Sequence, residues 1–179
     1  MDLQNSKTWA NLNTAFAGES MARNKYDYFA KQATKDGYYQ VAQIFSQTAL
    51  NEMAHAKIWF KILQGGGIKG TEDNLQIAMD GENYEWTEMY KNFAIVAREE
   101  GFNDIADLFE RVGEIEKEHD HRYTTLKKQL VDGGLFSRKE PVTWHCLNCG
   151  HLHIGLEAPV VCPVCNDPQG MFEQYARNY

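Results

Sequence analysis

The sequence predicts an all-α four-helix bundle followed by a small metal-binding β domain. Two observations point to this fold class. A repeat with an offset of 64 residues runs through the N-terminal part of the chain, and all four cysteines and all four prolines lie beyond it, from Pro141 onward. Because proline interrupts helices, the proline-free part suits long helices and the remainder does not. We therefore expect two domains, residues 1–137 and residues 138–179.

The repeat joins residues of the same kind 64 positions apart. One helix-turn-helix unit cannot bury its own apolar face, so two copies are expected to pack as a four-helix bundle. The corresponding polar residues of the two copies would then face each other. The matching pairs include Tyr26 and Tyr90, Phe29 and Phe93, Ala33 and Ala97, Gly37 and Gly101, Phe45 and Phe109, Glu52 and Glu116, and His55 and His119.

Glycine stops and helical periodicity give the expected bounds of the four helices. They are Lys7 to Lys35, Tyr39 to Leu63, a third helix opening near Asp80, and Asn103 to Asp132. The four glycines of Gln64–Gly70 cannot remain helical, so a crossover is expected from Gln64 to about Met79. After the fourth helix, Leu135 to Pro141 is expected to be a linker.

Two Glu-x-x-His motifs occupy corresponding positions of the repeat. Glu52 precedes His55, and Glu116 precedes His119. Residues three apart on a helix share one face, so each pair can reach a single metal ion. Both glutamates also lie in apolar stripes, which a helix turns toward the core. A carboxylate there is costly unless it is paired, protonated or bound to a metal.

Three further acids are candidates on the other two helices. Glu19 lies in the apolar stripe of the first helix, where its alternative role is an ion pair with Arg23 one turn later. Glu82 and Glu85 are three residues apart at the start of the third helix, whereas Glu88 is less well placed. One of Glu82, Glu85 and Glu88 could simply stabilise the helix dipole. Glu82 is one residue short of the 64-residue image of Glu19, which indicates a small insertion or deletion near the start of the third helix.

The last segment carries two Cys-x-x-Cys pairs, Cys146 with Cys149 and Cys162 with Cys165. Two such pairs separated by a short loop are typical of tetrahedral thiolate coordination. Sulfur ligands alone suit both iron and zinc, so a structural zinc ribbon stays open beside an iron site.

Composition excludes some function classes. The net charge of −7 and the pI near 5.4 argue against a nucleic-acid partner, which needs a basic face. The first residues lack the apolar core of a signal peptide, and no run reaches the roughly 20 apolar residues of a membrane span. A cytoplasmic protein is expected.

Together the motifs resemble the rubrerythrin family, a ferritin-like di-iron bundle followed by a rubredoxin-like domain. The resemblance covers nearly the whole chain. It rests on Phe16-Ala17-Gly18-Glu19-Ser20, Glu52-x-x-His55, Gly81-Glu82-x-x-Glu85, Glu88-Met89-Tyr90, Glu116-x-x-His119, and the two cysteine pairs with Pro168 and Phe172-Glu173.

The resemblance implies how two irons would be held. Glu52 and Glu116 would bridge them, Glu19 would serve the first iron, and Glu82 and His119 would serve the second. The cofactors would be this iron pair and one iron held by the four cysteines, where zinc could substitute.

The resemblance also implies four catalytic residues. Glu85 would be an additional carboxylate that exchanges with His55 on the first iron as the redox state changes. Tyr26 and Tyr90 would donate hydrogen bonds to the carboxylates.

The activity implied is reduction of hydrogen peroxide to water in oxidative-stress defence. Electrons would come from a reductase or a small redox protein such as a rubredoxin, with NAD(P)H as their source, and pass through the tetrathiolate iron. A homodimer is expected. The alternatives are iron oxidation and storage of the ferritin type, and a non-catalytic binding protein with a zinc ribbon.

Overall fold

The computed structural model describes residues 2–178, in which helices precede a small sheet. Its elements are α1 (Lys7–Lys35), α2 (Tyr39–Leu63), α3 (Thr71–Tyr84), a π-helical segment (Glu85–Met89), α4 (Tyr90–Glu99), α5 (Asn103–Val131), β1 (Ser137–Cys146), β2 (Leu152–Glu157), a 3-10 turn (Gln169–Met171) and β3 (Phe172–Gln174). The chain divides into two compact units between Lys69 and Gly70.

The first unit contains α1 and α2, which we call the first helix pair. The side chain of Ser6 caps α1 by accepting a hydrogen bond from the Trp9 N–H. Gly37, at φ +83°, makes the turn into α2. The two helices approach through buried alanines, which permit close packing: Ala30, Ala33, Ala42, Ala49 and Ala56. The bounds predicted for both helices are confirmed.

The second unit contains a longer third helix than the sequence indicated. It begins at Thr71, so the start predicted near Asp80 was wrong, and so was the crossover reaching Met79. Gly70 precedes the helix, and Glu72 and Asp73 stabilise its first turn by their negative charge. The connection from α2 is therefore only the seven residues Gln64–Gly70.

The π-helical segment Glu85–Met89 interrupts this third helix without ending it. The N–H of Tyr90 donates to the carbonyl of Glu85, five residues back. Such a turn accommodates one additional residue within an α-helix. It accounts for the offset of Glu82, because eight residues separate Glu82 from Tyr90 where seven separate Glu19 from Tyr26. The insertion predicted from the repeat lies inside the helix rather than at its start.

We call α3, the π segment, α4 and α5 the second helix pair. Its buried core consists of Ala94, Ala97 and Ala106, with Phe109 packed against them. Gly113 lets α5 approach the third helix, since a Cβ there would lie 3.3 Å from the Cβ of Tyr90. The predicted fourth helix is confirmed, from Asn103 to Val131.

The C-terminal strands form an antiparallel sheet in the order β2-β1-β3. Trp144, Cys146, Cys162 and Phe172 are buried in its core, and Trp144 donates its ring N–H to the Gly155 carbonyl at 3.1 Å. The linker predicted from Leu135 to Pro141 is wrong in part, because β1 begins at Ser137. A register irregularity before Val142 lets this stretch join the sheet despite its proline.

The predicted fold class is confirmed. The segments α3, the π segment and α4 follow one another without a break and count as one helix, which makes four helices in all among the described residues. Four helices precede a small strand domain in which four cysteines cluster. Among the described residues, no helix is long and apolar enough to cross a membrane.

Candidate metal centres

The first helix pair holds one cluster of predicted ligands. Glu19, Glu52 and His55 each place a donor atom within 4.8 Å of the others. His55 Nδ1 lies 2.9 Å from Glu52 Oε2 and 3.9 Å from Glu19 Oε1. The alternative role for Glu19 is not favoured, because Arg23 Nε lies 4.0 Å from the carboxylate of Asp27.

The two carboxyl groups of this cluster compete for one proton. The hydrogen bond with Glu52, then burial and the negative charge of Glu52, raise the pKa of Glu19. The hydrogen bonds with Glu19 and with His55 lower the pKa of Glu52. The pair therefore favours a state with one proton between two acids. A cation among the three donors would relieve the same repulsion.

The second helix pair repeats the arrangement with Glu82, Glu116 and His119. His119 Nδ1 lies 2.7 Å from Glu116 Oε2 and 3.6 Å from Glu82 Oε1. Burial, followed by the charge of Glu116 and a hydrogen bond with it, raises the pKa of Glu82. The two motifs of the sequence thus belong to two separate three-residue clusters.

The helix faces that carry the candidate metal ligands are more exposed to solvent than the apolar stripes of the sequence indicated. The side chains of Glu52 and Glu116 are 16% and 14% exposed, but His55 is 51% exposed and His119 34%. The expectation of fully core-facing acids is therefore met only in part within each helix pair. No carboxylate among the described residues is fully buried.

Glu85 lies outside both three-residue clusters. It opens the π segment and is partly buried. Its negative charge contributes to the raised pKa of Glu82 and, after burial, to that of Tyr90. The predicted additional carboxylate is thus close enough to the second cluster to act on it electrostatically. Glu88 is exposed, as its weaker placement in the sequence indicated.

The two candidate tyrosines occupy matching aromatic groups. Tyr26 contacts Phe29 and Phe45, with ring centroids 6.3 Å and 6.0 Å away. Tyr90 contacts Phe93 and Phe109 at 6.3 Å and 6.1 Å. Burial, and then the charges of Glu85, Glu116 and Glu82, raise the pKa of Tyr90, so its hydroxyl keeps its proton and can donate it in a hydrogen bond.

Sequence reasoning missed a polar network beside His119. Asp120 accepts hydrogen bonds from Asn83 Nδ2 at 3.0 Å, Trp86 Nε1 at 2.9 Å and Thr124 Oγ1 at 3.4 Å. The bonds from Asn83 and Trp86 lower its pKa. The network joins the third helix to α5 across the level of the second cluster. The sequence did carry a signal of this network, because Asp120 occupies the position that corresponds to Ala56 in the first copy of the repeat.

The four cysteines meet in the C-terminal domain as free thiols. Cys146 Sγ lies 3.7 Å from Cys165 Sγ, and Cys149 Sγ lies 3.6 Å from Cys162 Sγ. A tetrahedral site with metal–sulfur bonds of about 2.3 Å requires sulfur atoms about 3.8 Å apart. The sulfur positions therefore fit a single tetrahedral metal ion.

Backbone N–H groups support this thiolate site. Burial, the largest influence, opposes ionisation of Cys162, yet the N–H groups of Cys165 and Val164 and two neighbouring thiols lower its pKa to about 7. Donors that point at sulfur stabilise negative charge there, as a thiolate ligand requires.

The donor sets fit iron in both places. Carboxylate oxygen and imidazole nitrogen suit iron or manganese, and four thiolates suit iron or zinc. In each Glu-Glu-His cluster the neighbouring acid helps to raise the pKa of Glu19 or of Glu82, and a cation would relieve this repulsion. The sulfur spacing matches a tetrahedral ion.

Comparison with known protein families decides between iron and the other metals that these donor sets suit. A family model described as Rubrerythrin matches residues 10–127, and the model of the rubrerythrin rubredoxin-like domain matches residues 144–173. This chain belongs to the rubrerythrin family. It is therefore a non-haem iron protein of the rubrerythrin type, with iron cofactors.

Several curated relatives match nearly the whole chain. The rubrerythrin of Porphyromonas gingivalis is 44% identical, over 99% of this chain and 94% of the relative. The rubrerythrin of Nitratidesulfovibrio vulgaris is 42% identical, over 99% of this chain and 98% of the relative. A solved structure of fully reduced, all-ferrous nigerythrin is 30% identical and covers 95% of this chain and 87% of its own. Its TM-score of 0.37 is too low to support an argument about arrangement.

Proposed function

We propose that this member of the rubrerythrin family is a non-haem di-iron peroxidase that reduces hydrogen peroxide to water. Two electrons and two protons convert one peroxide into two waters. When bound, a reduced iron pair would supply those two electrons and cleave the O–O bond. The domains would be residues 1–137 for the iron pair and residues 138–179 for electron entry.

The chain's own residues have the following proposed roles. Glu52 and Glu116 would hold the iron pair together with Glu19 and Glu82, each beside the histidine of its own cluster, His55 or His119. Cys146, Cys149, Cys162 and Cys165 hold a third iron, through which electrons enter one at a time.

Three further residues would adjust this site to its changing charge. Glu85 would offer the iron pair a carboxylate as an alternative ligand to His55. The hydroxyls of Tyr90 and Tyr26 donate hydrogen bonds that hold the carboxylates in position.

One observation carries the proposal: a single chain provides carboxylate-histidine clusters and a tetrathiolate site. The former suit chemistry on oxygen, and the latter suits electron transfer. Iron storage of the ferritin type has no use for the second. We further propose a cytoplasmic homodimer that receives electrons from a reductase or a rubredoxin supplied by NAD(P)H.

The test follows both sites in one titration. Iron-replete protein is reduced anaerobically and titrated with hydrogen peroxide while the visible spectrum is recorded. We expect the thiolate-to-ferric absorption to bleach on reduction and to return with peroxide. A colourless, zinc-loaded protein that takes up iron in bulk would instead identify a storage or binding protein.

The matched variant is Cys162→Ser. We expect it to lose steady-state peroxide turnover with an external electron donor. Its chemically reduced helical domain should still be oxidised by peroxide in stopped flow. Turnover equal to that of the parent would refute electron entry through the cysteines.

A further inference from the structure

We propose that the first helix pair of one copy of this chain packs on the second helix pair of another copy, so that each di-iron site takes its ligands from two chains. The inference rests on the proposed ligand assignment. It concerns how the two three-residue clusters become one site.

The first observation is that each cluster is half of a site. Glu19, Glu52 and His55 provide three donors, and their face of the helix pair is open enough to leave His55 half exposed. Iron bound by oxygen and nitrogen takes more than three ligands, commonly up to six. A bridging carboxylate also needs a second metal, whose ligands lie on the other helix pair.

The second observation is that both helix pairs leave the same apolar positions exposed. Positions 64 apart along the chain are exposed to almost equal extents: Phe29 47% and Phe93 45%, Val41 44% and Ile105 47%, Ile44 59% and Leu108 58%, and Tyr38 65% and Phe102 55%. Large apolar side chains exposed in such numbers on one element pair are typical of a surface that another element covers. Equivalent faces on two repeats favour mutual packing about a twofold axis.

The third observation concerns the connection between the helix pairs. A ferritin-like bundle needs one long crossover, because its second and third helices run parallel. Leu63 lies 11 residues after Glu52, and Thr71 lies 11 residues before Glu82. At 1.5 Å per residue, each helix end is about 16 Å from the level of the site, so the crossover must span about 33 Å along the bundle.

The connection of this chain is too short for that distance. Even fully extended, Gln64–Gly70 reaches about 28 Å from Leu63 to Thr71. It is not extended: the N–H of Gly66 donates to the Lys61 carbonyl at 2.7 Å, so the first residues fold back on the end of α2. The same chain therefore cannot supply both helix pairs of one ferritin-like bundle. A second copy has the complementary half, and two copies complete two sites.

The first measurement is the molar mass of the iron-free protein by light scattering. The proposal requires at least two copies, because apolar burial between helix pairs does not depend on metal. A monomer would overturn it, whatever the ligands prove to be.

The decisive experiment uses two kinds of heterodimer, made by co-expression with different tags. In the first kind, one copy carries Glu19→Ala and Glu52→Ala, and the other carries Glu82→Ala and Glu116→Ala. Exchange of helix pairs brings the two intact halves together and gives one complete iron pair per dimer. Without exchange, every site has a damaged half and no iron pair forms.

The second kind joins a parent copy to a copy that carries all four substitutions. The expected results are now reversed: exchange leaves no complete site, whereas an unexchanged dimer keeps one. The readout is iron content with Mössbauer spectra, which separate carboxylate-bound iron from thiolate-bound iron. Circular dichroism checks that each variant keeps its helices.

One iron pair in the first heterodimer and none in the second would establish the exchange. The reverse pattern, or failure to isolate a heterodimer, would overturn it. The ligand assignment has its own control. A homodimer in which both copies carry Glu19→Ala and Glu52→Ala, or both carry Glu82→Ala and Glu116→Ala, should lose the iron pair. If they keep it, the ligand assignment fails, and the mass of the iron-free protein still decides whether a second copy is present.

Discussion

The two helix pairs repeat one arrangement of helices, and their backbones differ in type at a single turn, the π segment. Their aromatic groups agree closely: Phe29 lies 5.5 Å from Phe45, and Phe93 lies 5.6 Å from Phe109. Their Glu-Glu-His clusters agree as well. Only the second pair has a π segment, and with it an additional acid, Glu85. A duplicated scaffold thus holds its ligands symmetrically, and one inserted residue makes the site asymmetric.

The second helix pair also has polar contacts that the first lacks. Asp120 joins α5 to the third helix, where the first pair has Ala56. Arg98 contacts two acids on α5, where the first pair has Thr34. Because the π segment weakens the regular helical hydrogen bonding, additional contacts between these helices compensate for the loss.

The largest effect is expected from removing the insertion. Deletion of Thr87 should convert the π segment to a regular α-helix. It would give Glu82 and Tyr90 the same spacing that Glu19 and Tyr26 have in the first helix pair. We expect iron to be retained, while oxidation of the reduced protein by peroxide slows about tenfold or more, because the Glu85 carboxylate is turned away. Stopped-flow absorbance measures the rate.

Glu85→Ala is the matched control for this deletion, since it removes the acid and leaves the π segment. Similar slowing in both variants would show that the insertion exists to position this carboxylate. A deletion variant that reacts at the parent rate would break the proposed link between the π segment and the chemistry. Loss of iron would instead show that the insertion holds the ligands.

Asp120→Ala makes the second helix pair resemble the first at this position. It leaves the indole N–H of Trp86 and the amide of Asn83 without their acceptor. We expect the free energy of unfolding to fall by about 1–2 kcal/mol. Urea unfolding followed by circular dichroism measures the change.

Asp120→Asn serves as the control, because its side-chain oxygen can still accept one of these bonds and should recover part of the loss. Equal midpoints for the parent and Asp120→Ala would mean that the network contributes nothing to stability. Asp132→Ala removes an exposed acid that directly follows α5, far along the chain from the network, and should be nearly neutral.

Tyr90→Phe should have a larger effect on activity than Tyr26→Phe. Three acids, Glu82, Glu85 and Glu116, contribute to the raised pKa of Tyr90, so its hydroxyl lies in the more negative environment. We expect a decrease of about tenfold in peroxide turnover, typical for loss of a partner that orients a metal ligand. Equal losses in both variants would show that the helix pairs are equivalent here.

The smallest effect is expected at the end of the third helix. Arg98 Nη2 lies 2.9 Å from Asp107 and 2.6 Å from Glu110, but these groups are exposed to solvent. Arg98→Thr copies the first helix pair and should lower the unfolding midpoint by about 1 °C at low salt. The difference should vanish at about 1 M salt, where the Debye length is short. A difference that persists there would indicate packing rather than charge.

Much of the fold followed from local signals. The ends of the first, second and fourth helices were predictable because Gly37, Gly65 and Gly133 provide the positive φ that ends a helix. The start of the third helix was missed, because Thr71 to Met79 has no strong apolar stripe. Its helical structure depends on contacts with α5, among them the bond from Lys127 to Gln76 at 2.5 Å.

The candidate ligands were visible in the sequence, but the π segment was not. A one-residue misfit between Glu19 and Glu82 indicated an insertion or deletion, which was predicted near the start of the third helix and lies inside it. Its position depends on packing between helices, because Tyr90 must meet Gly113 while Glu82 stays beside Glu116 and His119. Only an i to i+5 turn between them satisfies both contacts.

The sequence by itself determined the duplicated helix pair, the residue types of three candidate metal-binding clusters and the change of composition near residue 138 from which two domains are predicted. These features follow from periodicity, spacing and composition, which act locally. The tertiary structure decided which acids lie side by side, how the cysteine sulfurs are spaced and how short the connection before Thr71 is. Those properties depend on distances between residues far apart in the chain, and only packing fixes such distances.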